Sequence, residues 1–193
     1  MISYDVVFSD VESKLSEYRF RHSRAVVKRA LEYAKIYNVD KEIVKLVAIA
    51  HDVAKELSDE EIDKYIKMYD IKLDEIEKLN SNLLHAKIGA CICKDKYQFS
   101  DDMVNAVKYH TTGRENMSIL EKIIYLADAT EENKEYCSAS YTDMIKKDIN
   151  VGMVEISRWV INKLLDKEKL IHLDTIKCYN YYFKITKLKN MEN

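Results

Sequence analysis

Along most of the chain apolar residues return every three or four positions, which is the spacing of a buried helical stripe. His22, Val26, Ala30 and Tyr33 share one such stripe, so residues 19–37 are expected as a helix. Val44, Val47, Ala48 and His51 share another, giving a helix over 41–55 behind the cap Asp40. Polar punctuation marks the other starts. Ser9-Asp10-Val11-Glu12 predicts a short helix over 10–17, and Ser58-Asp59-Glu60-Glu61 opens one that runs to 68. A turn or two is expected over 74–78, and Ser81 or Asn82 then caps a helix carrying His85, Ile88, Gly89 and Ile92. Ser100-Asp101-Asp102 begins a helix ending near Tyr109-His110, followed by the polar turn Thr111-Thr112-Gly113-Arg114. Ser118 and Glu121 match a capping box for a helix over 119–129. Further helices are expected over 141–149 and 151–167, with a last one after Asp174.

Composition strengthens that picture. There is no proline and there are three glycines among 193 residues, so hairpin and tight-turn signals are nearly missing. The expectation is one all-α domain over 1–193. The helices of about 19–130 would carry the site, and those of about 141–187 would complete the core and border a nucleotide pocket. A net charge of −2 gives no global field for nucleic acid or an anionic membrane, so any anion site must be built locally. No apolar run is long enough to span a bilayer, and no leader pattern opens the chain. Cys91, Cys93, Cys137 and Cys178 lack paired metal spacing and read as reduced structural thiols, which suggests a cytoplasmic protein. The tyrosines near the end (Tyr179, Tyr181, Tyr182) suit a core or dimer surface more than a stacking surface.

The chemistry is concentrated in the histidines. Four of the five, His22, His51, His85 and His110, lie on or at the end of four different helices. His51 is followed directly by Asp52, and Lys55 falls three and four positions later, on the same side of a helix. Each histidine alone fits a hydrogen-bonded core residue. A histidine and an aspartate entering an apolar run side by side is more specific, because burying both unpaired is costly. Asp128 within Leu126-Ala127-Asp128-Ala129 has no capping role either. Imidazole with carboxylate suits iron, manganese, cobalt or zinc. One ion would take His22, His51, Asp52 and Asp128; a second would take His85 and His110 and share Asp52. Such ions make hydroxide from water near neutral pH and polarise a phosphoryl oxygen. His172 stands outside the set.

Taken in order, His22, His51-Asp52, His85, His110 and Asp128 resemble the HD-domain metal-dependent phosphohydrolase superfamily. Arg21-His22-Ser23, Ala50-His51-Asp52-Val53-Ala54-Lys55, Leu84-His85-Ala86, His110-Thr111-Thr112-Gly113-Arg114 and the run from Glu121 to Asp128 narrow this to the YqeK-type symmetrical bis(5'-nucleosyl)-tetraphosphatases. The resemblance implies an HD helical bundle and hydrolysis of diadenosine tetraphosphate to two ADP by a metal-bound hydroxide. It implies iron as the favoured ion, with manganese, cobalt or magnesium as substitutes, and one or two ions per site. It also implies His22, His51, Asp52 and Asp128 as metal ligands, and His85 and His110 facing the phosphates or a second metal. Asp52, Lys55, His85 and His110 are the implied catalytic set. Lys55, Thr111, Thr112, Arg114, Lys134, His172 and Thr175 are implied around the nucleotide. Three positions depart from the family pattern: in the run Glu131-Glu132-Asn133-Lys134, Glu132 stands where proline is usual and Lys134 where arginine is usual, and Leu173 stands where proline is usual. Hydrolysis of another nucleotide (an alarmone, a nucleoside polyphosphate or a monophosphate) and a non-catalytic nucleotide-binding module remain as alternatives. A homodimer is compatible with either class.

Overall fold

The computed structural model describes residues 2–134 and 139–191, all of whose regular structure is helical. Eleven α-helices follow in order: α1 Tyr4–Glu12, α2 Glu17–Tyr37, α3 Lys41–Ala50, α4 Asp59–Met68, α5 Glu75–Leu79, α6 Leu84–Tyr97, α7 Asp101–Lys108, α8 Ile119–Thr130, α9 Ala139–Lys147, α10 Ile149–Asp166 and α11 Leu173–Met191. A single 3-10 turn, Ser81–Leu83, leads into α6. Long α2 is central and packs against α3 on one side and α8 on the other; α6 packs on α7, and α10 on α11. The expected stripes face inward: Val26, Ala30 and Tyr33 of α2 meet Val44, Val47 and Ala48 of α3, all fully buried. Ile123, Ile124, Leu126 and Ala127 of α8 close the third side. Alanines along these faces let the helix axes approach closely, and the buried Tyr33 hydroxyl meets Thr130 Oγ1 at 2.8 Å.

Several ends differ from the sequence expectation. The first helix starts at Tyr4 rather than Asp10, because Val7 and Val11, four apart, are both fully buried and set its register. Ser16 then caps α2, accepting from the Arg19 N–H. The helix expected over 41–55 stops at Ala50, and residues 51–56 continue as turns closed by Val53 N–H to Ala50 and Lys55 N–H to Asp52. Asp148 caps α10 two residues earlier than expected. The Ser118–Glu121 box is half made: the Ser118 hydroxyl accepts from Glu121 N–H, but the Glu121 carboxylate turns to Arg114. Leu173, not a residue after Asp174, begins α11, and His172 Nδ1 accepts the Asp174 N–H. Cys91, Cys93 and Cys178 are free thiols; Cys137 lies outside the described residues. Tyr182 is a core residue, its hydroxyl accepting from Met117 N–H. No helix among the described residues is long and apolar enough to cross a membrane.

Asp10, freed from capping, ties α1 to α6. Lys14 and Lys96 donate to its two oxygens at 2.8 and 2.6 Å, and the Tyr97 hydroxyl donates as well. Burial alone would raise the Asp10 carboxyl, but these donors outweigh it and hold the pKa at about 2. A depressed folded-state pKa means stability present above the unfolded value near 4 and lost as pH falls from there toward 2. Asp10→Asn is therefore expected to cost about 2 kcal/mol at pH 7 in urea denaturation, with the gap to wild type closing below pH 3. A pH-independent gap would mean that packing, not charge, makes the tie.

Candidate metal centre

Five elements deliver the polar cluster. His22 comes from α2, His51 and Asp52 from the turn after α3, His85 from the first turn of α6, His110 from just past α7, and Asp128 from the last turns of α8. The four histidines and Asp52 are buried; Asp128 keeps 24% of its side chain exposed. α3 ends at Ala50, and His51, whose φ −55° and ψ −37° still follow the helix, leads with Asp52 into the turns beyond it. The imidazole and carboxylate face a common centre, His51 Nε2 lying 3.8 Å from Asp52 Oδ2.

Three of the imidazoles are fixed in the same way. His51 Nδ1 lies 2.7 Å from the Ala48 carbonyl, His85 Nδ1 2.6 Å from that of Asn82, and His110 Nδ1 2.7 Å from that of Val107, each three residues back. A carbonyl only accepts, so each Nδ1 carries the proton and each Nε2 presents a lone pair. His22 is fixed from a distance instead, by Glu131 Oε1 at 3.3 Å from its Nδ1. Sequence reasoning missed Glu131, which is buried and held by Asn133 N–H and its side-chain amide. The one available signal was the acidic pair Glu131-Glu132; its second member pairs with Lys28 at the surface.

The Nε2 atoms converge on the carboxylates. Asp52 Oδ1 is 3.1 Å from His85 Nε2 and 3.4 Å from His110 Nε2, while Oδ2 is 3.8 Å from both His22 and His51 Nε2. His22 Nε2 also meets Asp128 Oδ1 at 3.1 Å, and His85 and His110 Nε2 lie 3.1 Å apart. Burial pushes His51 down to about 4 and lowers His85, so both imidazoles are neutral at neutral pH. Burial also opposes charge on His22, but Asp128 prevails and raises it. Both carboxyls stay ionised: against the penalty of burial, His51, His85 and His110 hold Asp52 low, and His22 and Lys134 hold Asp128 low.

These residues fit a divalent cation. His51 Nε2 is buried and has no hydrogen-bond partner, a costly state for a lone pair unless a ligand takes it. Donor atoms bound about 2.1 Å from one ion lie about 3.0–3.4 Å apart, and the contacts of His85, His110 and Asp52 Oδ1 fall in that range. Protonated Nδ1 atoms bonded to carbonyls or carboxylate are the usual support of metal-ligating imidazoles. His22, His51 and Asp128 form one group able to hold a metal ion, and His51, Asp52 and His110 another.

The HD domain model matches residues 19–133, a span that takes in every member of this cluster. The chain belongs to the HD domain family. Around its HD domain it is 35% identical, over 88% of its length and 91% of the relative's, to a symmetrical bis(5'-nucleosyl)-tetraphosphatase of Halalkalibacterium halodurans. It is 30% identical to the protein of the same name from Bacillus subtilis, over 89% and 92% of the two chains. A crystal structure of a "predicted HD superfamily hydrolase involved in NAD metabolism" from Clostridium acetobutylicum superposes with a TM-score of 0.89 at 34% identity, covering 95% of this chain and 98% of that one. The family is metal-dependent, in keeping with the donor set.

The remaining expected site residues divide. Lys55 joins the HD cluster: its Nζ is 3.3 Å from both ring nitrogens of His85, and burial lowers its pKa. Lys134 Nζ is 3.6 Å from Asp128 Oδ1, and Thr111 Oγ1 is 3.2 Å from His110 Nε2. The Thr112 hydroxyl donates to the Gly113 carbonyl. Gly113 itself has φ +65°, and a Cβ there would come within 2.7 Å of Cys178 Sγ, so the turn after His110 needs glycine. Arg114 forks onto Glu121, Nε and Nη2 at 2.8 and 2.6 Å from the two oxygens. His172 bonds Asp74 at 2.7 Å through Nε2, away from the cluster, and Thr175 is buried beside it with its N–H on the His172 carbonyl. Asp74, Glu77 and His172 form a third group of metal-ligating types. There Glu77 already holds Lys87 at 2.6 Å and the Asp74 N–H, so a tie between α5 and α11 accounts for it.

Proposed function

We propose that this chain is a metal-dependent hydrolase that cleaves diadenosine tetraphosphate symmetrically into two ADP. The observation that carries the reading is the convergence of four imidazoles on Asp52, with Asp128 on His22 and the orphaned His51 lone pair, beside a cavity of about 760 Å³ lined by His110, Thr111, Asp128 and Lys134. Such a volume suits a nucleotide-sized ligand. The symmetrical tetraphosphatases matched over about nine-tenths of both chains support the substrate assignment.

Two ions are the better fit, His22, His51, Asp52 and Asp128 holding one and His85, His110 and Asp52 the other, because the two Asp52 oxygens face separate histidine pairs. Imidazole with carboxylate suits iron, manganese, cobalt or zinc; the resemblance to the symmetrical tetraphosphatases is what favours iron, with manganese, cobalt or magnesium as substitutes. Bound there, the ions supply Lewis acidity toward a phosphoryl oxygen and make water acidic near neutral pH. The protein's own part is positioning and charge. Lys55, packed on His85, and Lys134, at the rim beside Asp128, set cationic charge on two sides of the cluster where the polyphosphate passes. Lysine at 134 gives a point charge rather than a bidentate fork. Thr111 offers a hydroxyl next to His110. For cleavage to fall in the middle of the bridge, the cleft must hold one whole ADP half.

The test is a product assay. Iron- or manganese-loaded protein incubated with diadenosine tetraphosphate is expected to release two ADP per substrate, read by anion-exchange chromatography. ATP plus AMP would overturn the symmetrical reading. Turnover of an alarmone or a monophosphate in preference to the dinucleotide would move the substrate class.

A further inference from the structure

The cavity beside the metal cluster continues well beyond the residues that face the metal. One of its walls is a face of the second half of α10 and the residue that follows it, where Ile156, Trp159, Val160, Lys163 and Lys167 line the cleft with Asp166 beside the lysines. From Ile156 to Lys167 that face runs about 16 Å by helical rise. Burial orders the cleft from end to end. His110 at the inner end is buried, Trp159 and Val160 midway are half-buried, and Lys163 and Lys167 at the mouth are exposed. So the chemistry along the cleft changes from imidazole and carboxylate, through an indole and aliphatic stretch, to lysines at the solvent. A polyphosphate anchored at the inner end must lay its nucleoside along the middle. Trp159 is the chain's sole tryptophan and lines the cleft half-buried, and base–aromatic stacking is tolerant of which base it takes. The Lys163 ammonium lies 4.6 Å from the indole centroid, a cation–π contact that a stacking base has to displace.

We propose that Trp159 is the platform on which the nucleobase of the retained ADP half stacks, with Lys163 gating the mouth of the cleft. This rests on the dinucleotide-hydrolase reading and deepens it by placing the base. Stacking makes no hydrogen-bond readout, so the platform takes any purine nucleoside diphosphate; base-free polyphosphates gain nothing from it. The contribution is made equally before and during reaction, so it belongs to KM rather than kcat.

Because the chain has one tryptophan, its fluorescence reports this wall alone. Metal-loaded protein titrated with ADP is expected to show quenching that saturates with binding, whereas inorganic pyrophosphate leaves the emission unchanged. Trp159→Ala is expected to raise KM for the dinucleotide about tenfold, the middle of the range for loss of one stacked base, with kcat within about twofold; Trp159→Phe restores most of the affinity. Calorimetric ADP binding with unaltered fluorescence, or a wild-type KM in a folded Trp159→Ala protein, overturns the platform and leaves the hydrolase reading standing. Failure of the wild-type protein both to bind ADP and to release it from the dinucleotide overturns both. If Trp159→Ala does not fold, the fluorescence titrations of the wild type with ADP and with pyrophosphate still decide.

Discussion

Asp52→Ala is expected to lose its metal and, with it, about three orders of magnitude or more of turnover, while helix content stays at the wild-type level. The size follows from position. One carboxylate serves both histidine pairs, Oδ1 facing His85 and His110 and Oδ2 facing His22 and His51. With the two ions proposed above, its loss would strip charge neutralisation and a ligand atom from both together. Removing a single hydrogen-bond donor that stabilises transition-state charge already costs about 10²–10³ in rate, and a ligand shared by two Lewis acids does more. Asp52→Asn separates charge from shape: the amide fills the same space and leaves an oxygen for one side only, so metal content should fall to one ion or fewer. Elemental analysis, ADP release and far-ultraviolet circular dichroism on the same preparations check all three statements. Wild-type turnover in Asp52→Ala would remove the metal centre from the mechanism. The fold should survive because Asp52 lies on the turn after α3, outside the helix faces that interlock α2, α3 and α8. The buried carboxylate also carries a desolvation cost of its own that alanine does not have.

Much of this centre could be read from the chain because its residues are costly where they stand. His22 shares a stripe with Val26, Ala30 and Tyr33, so helical periodicity alone sends an imidazole into the core. The same holds for His51 beside Val47 and Ala48, and Asp128 has no capping role to explain it. What the chain did not reveal depends on ends and on docking. Nothing like glycine or proline marks Ala50 as a helix end, yet α3 stops there and the chain passes into the turns closed by Val53 and Lys55 N–H. Glu131, which fixes His22, lies 109 positions away from it. His172 was read as bordering the nucleotide but meets Asp74, 98 positions earlier. The cleft wall made by Trp159 and Lys163 exists only because α10 packs beside α8 and α11, and side-chain periodicity within α10 cannot say which neighbour it meets. Ser9-Asp10 reads as a helix start, but the burial of Val7 and Val11 moves that start to Tyr4 and places the Asp10 carboxylate where Lys14, Lys96 and Tyr97 meet it.

Arg114 is expected to act on stability far more than on substrate affinity. The sequence resemblance implies a nucleotide contact, but in the fold the guanidinium is already spoken for. Nε and Nη2 fork onto both oxygens of Glu121, Nη1 reaches the Glu115 carbonyl, and the plane lies 5.2 Å from the Tyr109 ring centroid. Burial disfavours charge on Arg114, but Glu121 prevails and raises its pKa. The asymmetry of burial sets the energetics: Arg114 keeps 28% of its side chain exposed, whereas Glu121 keeps 1%. Arg114→Ala therefore abandons a buried carboxylate with no counter-charge, which costs about 3–5 kcal/mol, toward the lower end here because water can follow through the opened rim. Arg114→Lys should recover part of the loss at most, since an ammonium cannot match the fork. The pair can be removed at smaller cost together: Arg114→Met with Glu121→Leu deletes both charges and is expected to be more stable than Arg114→Ala alone. Denaturant midpoints give the stabilities, and KM measured well below the unfolding transition gives the affinity. A stable Arg114→Ala protein with KM raised tenfold or more would show instead that the guanidinium leaves Glu121 for the phosphates when substrate binds. The expected pattern is the reverse, a loss of several kcal/mol with KM changed by less than about threefold. Arg114 then sets the loop that carries His110, Thr111 and Gly113, and it reaches the chemistry only through them.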